Sequence, residues 1–123
     1  VNDNELMQKY VKTSTERLHS LLSKVTSKLY APFLIYGGGS HTARILPMLS
    51  AASRQFPIHA IIDNNPNLEG RQLGGIPIVS AAKLGDWPGR DILISSFRYE
   101  TGMKNSLAGE ESERKVMTIY MDE

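Results

Sequence analysis

The chain contains no cysteine. That excludes disulfides, thiolate zinc sites, iron–sulfur clusters and a cysteine nucleophile. It also lacks a surplus of charge of one sign: 14 basic and 13 acidic residues leave a net charge of +1. A general nucleic-acid binder shows a basic surplus or stripe, so nucleic acid is not an expected partner. No apolar run approaches the ~20 residues that span a bilayer, so no membrane partner is expected either. No secretory leader is visible, because Val1 opens a polar stretch. A first residue other than Met reads as excision from a longer chain, whose remainder would carry an attached catalytic domain. The expected compartment is the cytoplasm. The three histidines, His19, His41 and His59, lie far apart without metal-ligand spacing, so no metal site is expected.

What is present is 123 residues, 41% of them hydrophobic, which suits one domain with a core. Asp3 to about Leu29 reads as a helix, with Asn2 or Asp3 as cap and Glu5 at the positive end of the dipole. Leu18, Leu21, Leu22, Val25 and Leu29 form its apolar stripe, opposite Lys12, Glu16, Ser20, Lys24 and Lys28. The stripe needs a partner. Its own sheet is favoured; the same helix of a second subunit, giving a homodimer, is the alternative. The expected division is a helix over residues 1–30 and an α/β domain over 31–123.

Apolar runs then alternate with helical patterns. Phe33–Tyr36, Ile58–Ile62, Ile76–Val79, Ile92–Ile94 and Val116–Met121 read as strands. Pro77 places the third toward an edge. Ile45, Leu49, Ala52 and Phe56 share a helical face, with Pro47 predicting a kink or a late helix start. Ser80 caps a brief helix through Leu84, and a further helix runs from Tyr99 to about Leu107. This alternation predicts an α/β fold: a small Rossmann-like doubly wound parallel sheet of about five strands, in the order 3-2-1-4-5. Ligands of such sheets bind at the carboxyl ends of the strands, where the order reverses.

At that point stands Gly37-Gly38-Gly39. Gly37 permits the turn out of the first strand, and Gly39 lets a phosphate approach the backbone. Ser40, His41 and Thr42 open the next helix, whose free amides and dipole favour an anion. A dinucleotide fingerprint would have glycine where Thr42 stands, so looser helix–strand packing is expected there. Asp63, closing the second strand, suits a ribose and favours one without a 2′-phosphate. It equally suits an Asx turn with Asn64 and Asn65. Ser95 and Ser96 end the fourth strand opposite the glycines and read as ribose or base contacts, or as caps of the next helix. His41 reads as a phosphate donor or an exposed helix-start residue more readily than as a catalytic acid or base. Arg44, Arg71, Arg98 and Tyr99 are candidates to reach an anionic substrate. Trp87 reads as a packed loop anchor, and Glu110 to Lys115 as a solvated helix end.

As an ordered set, several of these segments resemble a known module. They are Ile35-Tyr36-Gly37-Gly38-Gly39-Ser40-His41, Ile61-Ile62-Asp63-Asn64-Asn65-Pro66, Gly75-Ile76-Pro77-Ile78-Val79-Ser80 and Asp91-Ile92-Leu93-Ile94-Ser95-Ser96. Residues 33 to 120 look like the Rossmann-like, CoA-binding-type or nucleotide-sugar-binding domain at the start of bacterial sugar acetyltransferases. The resemblance implies a small-molecule nucleotide, dinucleotide such as NAD, or nucleotide sugar as ligand, in polysaccharide or glycan biosynthesis. It implies the glycine turn and Asp63 as contacts. It carries over no acetyl transfer, because the hexapeptide β-helix and its histidine are absent from the sequence. No catalytic residue is assigned. The competing expectations are an NAD-dependent oxidoreductase or epimerase fragment and a structural or oligomerisation module without ligand. The first lacks a Tyr-x-x-x-Lys relay, since Tyr99 is followed by Met103. A methyltransferase is disfavoured because Phe33–Tyr36 holds no acidic residue.

Overall fold

The structure, a computed structural model, describes residues 3–52 and 58–121. The expectations for Asn2, Phe56 and Pro57 lie outside these residues, as do the side chains of Lys12 and Ala52.

Helix α1 runs Asp3–Thr26, with Asp3 and Glu5 in its first turn and Lys24 in its last, each complementing the dipole. It stops short of Leu29. The Thr26 hydroxyl donates back to the Leu22 carbonyl at 2.7 Å, one of the side-chain bonds that compete with the backbone at helix ends. Leu29 is nevertheless buried with Leu18, Leu21, Leu22 and Val25. The whole stripe joins one core with Phe33, Ile35, Leu93 and Ile119, so its partner is the chain's own sheet.

That sheet has six strands: β1 Phe33–Tyr36, β2 Ile58–Asp63, β3 Gln72–Leu73, β4 Ile76–Ser80, β5 Ile92–Ile94 and β6 Val116–Thr118. Their order is β3-β4-β2-β1-β5-β6. Five are parallel, in the order the alternation predicted. The sixth, β3, is antiparallel to β4. Gly74 and Gly75, at φ 59° and 80°, form the two-residue hairpin that a turn with two positive φ angles requires. Pro77 lies on the strand next to the edge, opposite Gln72 and before pairing with β2 begins at Ile78.

All four residues of β1 are buried, as a central parallel strand demands. One face packs against α1 and α2, Ser40–Ala52, through Ile45 and Leu49. Pro47 does not delay the start of α2. The other face carries Leu34, Tyr36, Ala60, Ile62, Ile92 and Ile94 under a 3-10 helix, Ala81–Asp86, and a short helix α3, Glu100–Ser106. Ser80 caps the 3-10 helix through the Ala82 amide, at 3.2 Å. The expected solvated end after Glu110 is only partly so, because Arg114 is buried and donates to the Arg90 carbonyl at 3.0 Å. Helices on both faces of a doubly wound parallel sheet make the fold Rossmann-like. Among the described residues, no helix is long and apolar enough to cross a membrane.

Candidate functional site

The strand order reverses at β1, between β2 and β5, and the glycine turn leaves the carboxyl end of that strand. Gly37 adopts φ +117°, and a Cβ there would lie 2.8 Å from the Ser95 carbonyl oxygen. Only glycine fits this conformation and this gap without strain. The Gly38 amide donates to Asp63 Oδ2 at 2.7 Å. The other carboxylate oxygen, Oδ1, accepts from the Asn65 amide at 2.7 Å. Asp63 therefore forms the Asx turn and also tethers the glycine turn to the end of β2. Asn64 donates from Nδ2 to the Tyr36 hydroxyl at 2.7 Å, tying the same two strand ends together.

Gly39 is different. A Cβ placed on it meets nothing within 4 Å. Its carbonyl accepts from the Ala43 amide at 3.2 Å, the first helical bond of α2. The amides of Gly39, Ser40, His41 and Thr42 precede any i→i−4 partner and mark the positive end of the helix. Gly39 and Ser40 are exposed. The turn thus combines a rigid base with an open mouth lined by backbone donors.

Behind the mouth lies a chain of polar side chains. Thr42 is fully buried, and its hydroxyl donates to the Gly37 carbonyl. The expected looser packing does not occur, because the threonine fills the third-glycine position and bonds the turn it faces. Its hydroxyl oxygen is also 2.7 Å from Ser95 Oγ. Ser95 Oγ is 2.8 Å from His41 Nδ1, and His41 Nε2 is 2.7 Å from the Tyr120 hydroxyl. Proton counting gives the chain one direction. A carbonyl only accepts, so Thr42 spends its single proton on Gly37. Ser95 must then donate to Thr42 and accept from His41 Nδ1–H. A neutral imidazole carries one proton, so Nε2 accepts from Tyr120 O–H. Burial, with the Arg44 cation adding to it, holds the His41 pKa below its usual value and supports the neutral ring. Burial is the main influence raising the Tyr120 phenol, with Glu100 adding to it and Arg44 and Arg17 opposing.

The structure therefore brings together Gly37, Gly38, Gly39, Ser40, His41, Thr42, Asp63, Asn64 and Ser95. The two serines part company. Ser95 faces the glycine turn, whereas Ser96 accepts from the Tyr99 amide at 3.0 Å, which fixes the turn ahead of α3 without capping the helix itself. His41 is half-buried rather than an exposed helix-start residue. His19 and His59 are exposed, and His59 meets Trp87 edge to face, which makes that tryptophan a loop anchor. Among the described residues, no cluster of His, Asp and Glu could hold a metal.

Three residues escaped the sequence reading. Tyr120 lies 79 residues from the histidine it bonds. Glu100 is buried, and its carboxylate accepts from the amides of Ile119, Tyr120 and Met121 at 2.7, 2.9 and 2.9 Å. It positions the segment that carries Tyr120. Arg17 shares a cleft with Arg44 and Tyr120. No spacing along the chain marks these pairings; only the fold creates them.

No protein-family model matches the sequence, and no curated protein matches it. Solved structures do. UDP-D-quinovosamine 4-dehydrogenase from Vibrio fischeri is 24% identical over 70% of this chain and 75% of its own, with a TM-score of 0.53. RSP, a Rex-family repressor, is 14% identical over 99% of this chain and 71% of its own, with a TM-score of 0.55. Both likenesses are of fold.

Proposed function

We propose that this chain is a nucleotide-binding module that seats a ligand phosphate on the amides opening α2. The observation that carries the reading is the space over Gly39, empty to 4 Å, at the reversal point of the sheet. A phosphate there meets backbone donors and a helix dipole together. Each Asp63 oxygen has one lone pair engaged by an amide and a second left for a ribose hydroxyl. A cleft of about 340 Å3 on the α3 face, lined by Tyr36, Asn64, Ala81, Leu84 and Leu107, takes the base. The ligand is NAD or a nucleotide sugar, and the chain serves a larger sugar-modifying protein of glycan biosynthesis. The fold likeness to an enzyme named for a nucleotide-sugar substrate supports this choice. Binding is favoured over reaction because His41 and Ser95 direct their polar atoms at each other and at Tyr120 and Thr42.

Gly39→Asp tests the site by putting a carboxylate where the phosphate sits. Calorimetry with NAD, UDP-sugars, CoA and S-adenosylmethionine should show one of them binding the parent. The variant should lose about tenfold or more, the worth of charge-assisted hydrogen bonds at the phosphate. Unchanged binding by a folded variant would refute the site. A parent that binds none would favour a structural module. The reading includes a homodimer through the first half of α1, where Leu6 and Met7 are 55% and 62% exposed. A Leu6→Glu, Met7→Glu double variant should halve the mass in solution; a parent already monomeric, or a dimer that persists, removes the homodimer from the reading.

A further inference from the structure

Resting on the nucleotide reading above, we propose that the base slot selects a base with an amino group on its far edge, such as adenine or cytosine, over one with a carbonyl there. The slot, of about 340 Å3, begins beside the glycine turn, where Tyr36 ends β1 and Asn64 follows β2. It runs down the sheet to Ile92, which pairs with Leu34, two residues before Tyr36. Helix α3 leaves the carboxyl end of β5 and crosses back to the start of the parallel strand β6. Ser106, at the end of that helix, and Glu110 beyond it therefore border the inner stretch of the slot. Ile62, Leu84 and Leu107 give it apolar walls suited to a flat ring.

The two ends of the slot differ in hydrogen-bond sense. Tyr36 is only 7% exposed, and its hydroxyl oxygen accepts from Asn64 Nδ2 at 2.7 Å. Its own proton has no acceptor among the described residues, so this end offers a donor. At the inner end the side chains only accept. Ser106 spends its one proton on the Met103 carbonyl, at 2.7 Å, and keeps its lone pairs. Glu110 is a carboxylate; its Oε2 lies 3.3 Å from Arg114 Nε, and the side chain remains 36% exposed, open to a ligand. A base whose ribose sits at Asp63 brings the acceptor next to its glycosidic bond, N3 of a purine or O2 of a pyrimidine, to Tyr36. Its far edge then meets Ser106 and Glu110. An amino group there donates to them. A carbonyl oxygen faces acceptors instead, losing its water without gaining a partner.

The test is calorimetry on the full chain with ADP, inosine diphosphate, CDP, UDP and the base-free ribose 5-phosphate. ADP should bind about fivefold to tenfold tighter than inosine diphosphate, and CDP tighter than UDP by a similar factor. Glu110→Gln keeps the shape and adds a donor, so it should narrow both ratios. Ser106→Ala should narrow them too, without touching the ion pair to Arg114. Tyr36→Phe should weaken all four nucleotides alike and leave ribose 5-phosphate unchanged, because the acceptor it serves is common to all four bases. Equal affinities for the four, or tighter binding of the carbonyl-bearing members, overturn the base selection and leave the phosphate seat standing. No binding by any of the four overturns both the selection and the nucleotide reading. Ratios that survive both Glu110→Gln and Ser106→Ala overturn the assignment to these residues.

Discussion

Replacing Thr42 by valine should turn the hydrogen-bond chain behind the glycine turn around. The two side chains have nearly the same shape, so the perturbation is the loss of one buried hydroxyl. The Gly37 carbonyl loses its Thr42 donor, a loss that costs about 1–3 kcal/mol when the acceptor is shut away from water. The added methyl recovers under about 1 kcal/mol. The net destabilisation is therefore about 1–2 kcal/mol, read as a lower urea midpoint with an unchanged slope. The sharper signature is chemical. Without Thr42 as acceptor, the Ser95 proton turns to His41 Nδ1, 2.8 Å away. The ring proton then moves to Nε2 and donates to Tyr120. Nitrogen-15 NMR distinguishes protonated from bare ring nitrogens, so His41 should change from the Nδ1–H to the Nε2–H form. Thr42→Ser is the control: it keeps the hydroxyl, and with it the tautomer. A valine variant with the parent tautomer refutes the directional chain, and one with parent stability refutes the energetic reasoning.

Other outcomes follow from the same geometry. Gly37→Ala should cost about 1–3 kcal/mol, because a Cβ at φ +117° is strained and meets the Ser95 carbonyl at 2.8 Å. A thermal or urea midpoint equal to the parent's would contradict that contact. Stability should also form a plateau bounded by two titrations. The lowered His41 pKa means the unfolded chain takes up a proton first, so stability falls as pH drops from about 6.5 toward the folded value. The raised Tyr120 pKa means the unfolded chain loses its proton first, so stability falls again as pH rises beyond about 10 toward the folded value. His41→Gln should flatten the acid limb, and an unaltered limb would assign it to another group.

The strands were legible because continuous apolar runs such as Phe33–Tyr36 have few other uses in a chain of this length. Their order was legible because crossover handedness leaves few alternatives. The strand Gln72–Leu73 was not, since two residues carry no periodicity and only the glycine pair hints at a hairpin. The glycine turn and Asp63 were visible as motifs; the Asx turn is formed by one carboxylate oxygen, whereas the bond of the other to the Gly38 amide has no mark in the sequence. Thr42 looked like a defect in a pattern, and its hydroxyl could be understood only once Gly37 and Ser95 surrounded it. Tyr120, Glu100 and Arg17 were invisible for a simpler reason. Their meaning lies in neighbours that the sheet brings from far along the chain.

The carboxylate of Glu100 has an effect beyond holding Tyr120 in place. β6 is the last strand of the sheet, and the chain leaving it would ordinarily present unpaired amides at an open border. Such borders recruit strands from other molecules and seed aggregation. Here the three amides that follow the strand turn inward onto one acidic side chain. The border is closed there by a single residue of α3, so a passing strand finds no ladder to extend along that stretch.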